Sequence, residues 1–143
     1  MTHDLYLGLG SNLGHRHENI RKAIALIDEK IGSVYRVSDY MESPAWGYES
    51  QNAYINAACL VHTMLTPEEV LAETQNIERE LGRTEKSTVD VEGKPVYKDR
   101  TMDIDLLMYD DLKIDTIELT LPHPHIKQRD FVRIPLQQIL DNA

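Results

Sequence analysis

Asp103 and Asp105 are separated by a single residue and lead into the apolar run Leu106-Leu107-Met108-Tyr109. In a β-strand alternate side chains share a face, so both carboxylates project the same way, with their Cα atoms about 6.6 Å apart. Leu107 and Tyr109 are expected on that same face, which places the acids at its polar end. Two carboxylates this close repel each other unless a cation neutralises them, and hard oxygen ligands suit magnesium. A pair bridging two magnesium ions about 3.5–4 Å apart would clamp a phosphoryl group in transfer. The same pattern also fits two solvated acids at a strand end, and spacing alone does not choose. Arg100, three residues upstream, and the basic segment before it shift the balance towards an anionic ligand.

The other candidates are weaker taken singly. Gln75 and Glu78 are three residues apart and share one face of a helix, as a plain solvated surface would also have them. His123 and His125 have H-x-H spacing, but no cysteine or third histidine stands close by to complete a zinc site, so a single phosphate-contacting histidine fits better. Gly8-Leu9-Gly10-Ser11-Asn12-Leu13-Gly14 looks like a nucleotide loop. A dinucleotide fingerprint, however, needs glycine where Leu13 stands, and a P-loop needs a Lys-Ser/Thr pair that is missing; a tight strand-to-helix turn is the simpler reading. Trp46, Tyr54 and Phe131 fit core positions or a stack on a flat ring, and spacing does not decide between them. Cys59, in Ala57-Ala58-Cys59-Leu60-Val61, reads as a packed core thiol.

These residues need a scaffold, and the hydrophobic pattern predicts one. Leu5–Leu9 reads as a strand, followed by the Gly10–Gly14 turn. Ile20, Ala23, Ile24 and Ile27 mark an amphipathic helix from about His17 to Ile31, stopped by Gly32. Val34 to about Met41 reads as one strand, 42–52 as a loop, and Tyr54–Val61 as a buried strand. Thr66-Pro67-Glu68-Glu69 announces a second helix, with Thr66 as cap, Pro67 in the first turn and Glu69 closing a capping box. Residues 83–99 lack periodicity and read as a long functional loop. Met102–Tyr109 is a strand, Asp110-Asp111 a turn, and 113–115 a short strand. After Leu121-Pro122-His123-Pro124-His125, a short helix and a final apolar segment are expected to Leu140. The order predicts an α+β fold, a ferredoxin-like sandwich with two helices on one face of an antiparallel sheet.

Length and composition narrow the function classes. A chain of 143 residues fits one domain, here 1–143, and can bury a core without disulfides. The formal net charge of −9 argues against broad nucleic-acid binding. Two thirds of the Lys and Arg residues nevertheless follow residue 72, so an acidic protein with local basic clusters can hold a polyphosphate through a divalent cation. No run approaches the roughly 18 apolar residues of a membrane span. The N-terminus lacks the basic segment of a signal peptide and the one cysteine calls for no oxidising compartment, so a cytoplasmic protein is expected, and a small acidic single domain suits a monomer.

With these residues assembled, the chain resembles the 6-hydroxymethyl-7,8-dihydropterin pyrophosphokinases. The matches are collinear from about Leu5 to Leu140. They comprise Leu9-Gly10-Ser11-Asn12-Leu13, Ser43-Pro44, Tyr54-Ile55-Asn56-Ala57-Ala58 and Gln75-Asn76-Ile77-Glu78, then Gly82-Arg83, Asp99-Arg100-Thr101-Met102-Asp103-Ile104-Asp105, Pro122-His123 and Arg129-Asp130-Phe131. The resemblance implies a ferredoxin-like fold and transfer of pyrophosphate from ATP to the pterin hydroxymethyl group, releasing AMP. It implies two Mg2+ ions held by Asp103 and Asp105, with Arg83 and Arg100 as catalytic loop arginines. Gln75, Glu78, Tyr97, Arg100, Leu106, His123 and Arg129 match ATP-contacting positions. Ser43, Pro44, Ala45, Trp46, Tyr54, Asn56 and Phe131 match the pterin site, with the ring between Tyr54 and Phe131 and its amide edge on Asn56. The chain departs from the family pattern in places. Glu85 stands where a second arginine is common, Tyr97-Lys98-Asp99-Arg100 replaces Trp-Gly-Pro-Arg, Pro124 follows His123 in place of tyrosine, and Glu118 replaces an arginine. Two competing readings are a non-catalytic nucleotide-sensing module and another magnesium-dependent phosphotransferase on the same fold.

Overall fold

The computed structural model describes residues 2–44, 53–82, 88–89, 95–96 and 102–141. The elements run β1 (His3–Ser11), α1 (Arg16–Lys30), β2 (Gly32–Val37), β3 (Met41–Ser43), β4 (Tyr54–Thr63), α2 (Pro67–Glu80), β5 (Thr88–Val89), β6 (Pro95–Val96), β7 (Asp103–Tyr109), β8 (Ile114–Asp115), β9 (Thr120–Leu121) and α3 (Asp130–Asp141). The main sheet has the order β2-β4-β1-β7, with β3 also on β4 and every pairing antiparallel. Two interleaved β-α-β units produce this order, as the ferredoxin-like expectation requires.

One face of the sheet carries α1 and α2. Ile20, Ala23 and Ile27 of α1 and Val70 and Ile77 of α2 are buried with Leu5, Leu7, Leu9, Ile55, Ala57, Cys59, Val61, Ile104 and Leu106. Burying each large aliphatic side chain contributes about 1.5–3 kcal/mol, so this face supplies most of the driving force. The α2 start has the predicted capping box: Glu69 N–H donates to Thr66 Oγ1 at 3.2 Å and Thr66 N–H donates to Glu69 Oε1 at 2.9 Å. Burial pushes the Cys59 thiol up to about 12, consistent with an inert core residue.

Four features differ from the sequence expectation. The C-terminal segment is one helix of 12 residues, and Leu136 and Ile139 of α3 pack on Ala58, Leu60 and Leu107, covering the opposite face of the sheet. The strand expected from Val34 to Met41 breaks at 38–40 and resumes as β3. There the Ser38 hydroxyl accepts from Ala58 N–H at 2.8 Å in place of a main-chain carbonyl, which frees the chain to bend. The β7 register slips so that Leu7 faces Leu106 and Tyr6 faces Met108, leaving Leu107 opposite no residue. This bulge reverses the alternation, so Leu107 joins the α3 face while Tyr109 joins the α1/α2 core. Finally, the segment expected to be an irregular loop contains the two-residue ladder of β5 and β6. No helix among the described residues is long and apolar enough to cross a membrane.

Candidate active site

The site lies on the α3 face, beyond the part that α3 covers. Register places Asn56 of β4, Gly10 of β1 and Asp103 of β7 in one row across three strands, with Ala58, Gly8 and Asp105 in the next. Neighbouring strands are about 4.8 Å apart, so the Asn56 and Asp103 backbones are about 10 Å apart with a glycine between them. A Cβ on Gly10 would stand 3.2 Å from the Tyr54 ring and 3.4 Å from Asn56 Oδ1, and one on Gly8 would touch Leu107 at 3.4 Å. The two glycines therefore form a flat floor on which the Tyr54 ring and Leu107 pack closely, between the Asn56 amide and the carboxylate pair. A glycine inside a strand commonly marks such close approach.

The amide end is held by the β2–β3 break. β3 lies beside β4, and Asn56 Nδ2 donates to the Met41 carbonyl at 3.0 Å and to Ser43 Oγ at 2.7 Å. Asn56 and Ser43 are both buried. With both amide protons used, Asn56 presents its carbonyl oxygen on the Gly10 side, as an acceptor of fixed orientation. Tyr54 is half-buried above the floor.

At the carboxylate end, Asp103 and Asp105 are half-buried, while Ile104 and Leu106 between and beyond them point into the core. Glu78 of α2 is 5% exposed, and its Oε2 accepts from the Ile104 N–H at 2.9 Å. On the other side of the bulge, His123 N–H donates to the Leu107 carbonyl at 2.9 Å, docking the 122–129 segment beside the aspartates. His123 Nδ1 accepts from the His125 N–H at 3.2 Å, so its proton is on Nε2. Burial, then the Arg129 charge and His125, hold the His123 imidazole down to about 4, against a smaller opposing pull from Asp103. His123 is therefore a neutral donor at pH 7, within electrostatic reach of both Arg129 and Asp103. The Arg129 guanidinium carbon is 5.9 Å from the Phe131 ring centroid, at the start of α3.

The turn after β1 is structural, as expected. Asn19 Nδ2 donates to Ser11 Oγ at 3.2 Å and to the Leu13 carbonyl at 2.9 Å, and Gly14 takes φ +68°, a conformation that favours glycine. Of the expected site residues, Ser43, Tyr54, Asn56, Asp103 and Asp105 thus lie along one face of the sheet, His123 and Arg129 belong to the segment docked beside the aspartates, and Glu78 reaches the β7 edge from the α1/α2 face. Gln75 is half-buried one turn before Glu78, and Pro44 is exposed at the end of β3. The Leu106 side chain lies in the core on the opposite face, so only its main chain is available to a ligand. Ala45, Trp46, Arg83, Tyr97 and Arg100 lie outside the described residues. Sequence reading missed Gly8 and Gly10 as the floor; their i, i+2 spacing next to the apolar strand was the available signal.

Among the described residues, no group of three or more His, Cys, Asp or Glu side chains is placed to hold a metal alone. Magnesium makes a different demand, being held through one or two carboxylates together with substrate phosphates and water. Two hard anionic side chains on one face at an accessible strand end fit that chemistry.

A family model described as 7,8-dihydro-6-hydroxymethylpterin-pyrophosphokinase (HPPK) matches residues 6–141. The chain is 43% identical over 136 residues to the 2-amino-4-hydroxy-6-hydroxymethyldihydropteridine pyrophosphokinase of Porphyromonas gingivalis (strain ATCC 33277), covering 94% of this chain and 89% of that one. It is 39% identical over 140 residues to the Bacillus subtilis (strain 168) protein of the same name, covering 97% and 79%. Among solved structures, a triple mutant of Plasmodium falciparum HPPK-DHPS superposes with a TM-score of 0.72 at 14% identity, covering 96% of this chain and 40% of that longer one, a likeness of fold. The fold, the collinear motifs and a family match over nearly the whole length agree: this chain belongs to the 7,8-dihydro-6-hydroxymethylpterin-pyrophosphokinase family.

Proposed function

We infer that the protein carries out the reaction of its family: transfer of pyrophosphate from ATP to the hydroxymethyl group of 6-hydroxymethyl-7,8-dihydropterin, a step of folate biosynthesis. The products are AMP and the pterin diphosphate. The observation that carries the reading is the row Asn56–Gly10–Asp103, which sets a fixed amide acceptor and an anionic pair on either side of a glycine against which the Tyr54 ring packs.

In this reading Asn56 Oδ1 accepts from the pterin's amide edge, with Ser43, Pro44, Ala45 and Trp46 beside it, and Tyr54 and Phe131 hold the ring faces. The hydroxymethyl group then points along the Gly10 floor towards Asp103. Asp103 and Asp105 would hold two magnesium ions, which when bound neutralise charge on the triphosphate and on the group in transfer. His123, as a neutral Nε2–H donor, and Arg129 hold phosphate oxygens, and Gln75 lies on the nucleotide side. Tyr97, Arg83 and Arg100 complete that side, the two arginines stabilising charge on the equatorial oxygens. The pterin oxygen forms its bond to the β-phosphorus as the bond from that phosphorus to the α,β-bridging oxygen breaks. The hydroxyl proton is released beside Asp103, and AMP leaves. Little covalent help is needed from the protein; alignment and charge stabilisation supply most of the rate. Closure over the site excludes water and limits wasteful ATP hydrolysis. Carboxylate caps on both sheet edges, at Val34 and Ile104, support a protein that acts as a monomer.

The test is an assay of nucleotide products with ATP, MgCl2 and the reduced pterin alcohol. AMP is expected in equal amount to the pterin diphosphate and only when the pterin is present. ADP as sole product, or nucleotide binding without pterin-dependent AMP, would overturn the reading.

A further inference from the structure

We propose that Glu78 is a positioning residue for the two aspartates: its bond to the Ile104 amide sets the strand geometry that aims Asp103 and Asp105 from the same face. This rests on the magnesium reading given above. The family resemblance implies a nucleotide contact for Glu78, whereas its bond to Ile104 assigns the carboxylate a different task.

The geometry is specific. β7 is an edge strand, laddered to β1 on one side only. Ile104 is the residue between the two aspartates, and its N–H donates to Glu78 Oε2 at 2.9 Å. A peptide plane at the edge of a sheet can tilt about the strand axis unless its outer side is also held. Tilting at Ile104 would turn its two neighbours, and so spread the very carboxylates that must share ligands. Glu78 prevents this from a rigid support: Ile77 beside it and Thr74 one turn earlier are fully buried, fixing α2 against the sheet. The Ile104 side chain is itself buried beneath α2, so the residue is held at both its amide and its side chain. Partners that orient metal ligands in this way matter nearly as much as the ligands themselves.

The task assigned to Glu78 needs a hydrogen-bond acceptor, not a negative charge, and this separates it from a direct metal or nucleotide contact. The experiment compares Glu78→Gln, which keeps an acceptor of the same shape, with Glu78→Leu, which fills the volume without one. Readouts are kcat, KM for each substrate, and Mn2+ affinity by electron paramagnetic resonance with the non-reacting analogue α,β-methylene-ATP. Glu78→Leu is expected to lose about 10- to 100-fold in both kcat and Mn2+ affinity, and Glu78→Gln to remain within about threefold of the parent. KM for the pterin is expected to stay constant in both, because the Asn56 end of the floor is untouched. Circular dichroism checks the fold. Tight Mn2+ binding by a folded Glu78→Leu protein overturns the proposal, as does equal damage in Glu78→Gln. If Glu78→Leu does not fold, Glu78→Gln decides alone: parental Mn2+ affinity and kcat uphold the proposal, and their loss overturns it. A parent protein that binds no Mn2+ with the analogue, or makes no AMP, fails at the functional reading itself, an outcome distinct from damage confined to the variants.

Discussion

The two edges of the main sheet are closed by the same device in different surroundings. At the β2 edge, Asp28 of α1 accepts from the Val34 N–H at 3.0 Å, and the bond is exposed to water. At the β7 edge, Glu78 of α2 accepts from the Ile104 N–H at 2.9 Å, and the bond is buried. An open strand edge invites pairing with another chain, and an exposed carboxylate is enough to discourage it. Burying the second carboxylate costs desolvation that edge protection does not require. The difference shows that the β7 cap answers to something besides solubility, and the two aspartates flanking its partner are the nearest candidates. The β2 cap has no such neighbours: Ser33 and Tyr35 flank Val34 and point to solvent.

Substitutions at and around the two edges can break or sharpen this contrast. The largest effect is expected from Asp105→Ala, which removes half of the anionic pair. Turnover should fall by about a thousandfold, with thermal unfolding near that of the parent. A folded variant with substantial AMP formation would dissociate the pair from the chemistry. Next comes Glu78→Leu, with the smaller loss in metal affinity and kcat described above, against Asp28→Ala at the opposite edge. Asp28→Ala is expected to cost about 0.5–1.5 kcal/mol of stability in urea titrations while leaving kcat and Mn2+ affinity unchanged. Equal catalytic damage at both edges would erase the distinction between them. Gly10→Ala probes the floor that joins the β7 edge to the pterin end. The added methyl presses on the Tyr54 ring, and KM for the pterin is expected to rise about tenfold with Mn2+ affinity unaltered.

The smallest effect is a pH dependence. His123 is held down to about 4 in the folded chain, below the ordinary histidine value near 6.5, chiefly because it is partly buried. The unfolded chain therefore takes up the proton first. The associated stability is present in full above pH 6.5, declines between pH 6.5 and about 4, and is flat below. The ring is partly open to solvent, which reduces the effect. Urea midpoints measured at pH 7 and pH 4.5 are expected to differ less for His123→Gln than for the parent. An equal difference would assign the slope to other groups.

Much of this was legible in the chain. The periodicity at Ile20, Ala23 and Ile27 marked α1, and the Thr66–Glu69 capping box marked α2, because local spacing and local hydrogen bonds define those signals. The alternation of Asp103 and Asp105 put both on one face without any knowledge of their neighbours. Three of the four differences arise because a contact distant in sequence overrides the local pattern. The strand after Gly32 breaks where Ser38 bonds to Ala58, Tyr109 changes face because Leu107 bulges against β1, and α3 runs as one helix because it has a sheet face to cover.

What the sequence determined by itself was the set of elements, the family motifs and the pairing of the aspartates, all governed by residues within a few positions of one another. Tertiary structure decided that Gly10 lies between Asn56 and Asp103, residues 47 positions apart that register brings into one row. It also decided that Glu78, which reads as a surface or ligand-facing residue, is buried against Ile104, 26 residues away. Strand register and helix docking are set by burial summed over the whole core, so neither can be read from the residues on either side of the ones they bring together.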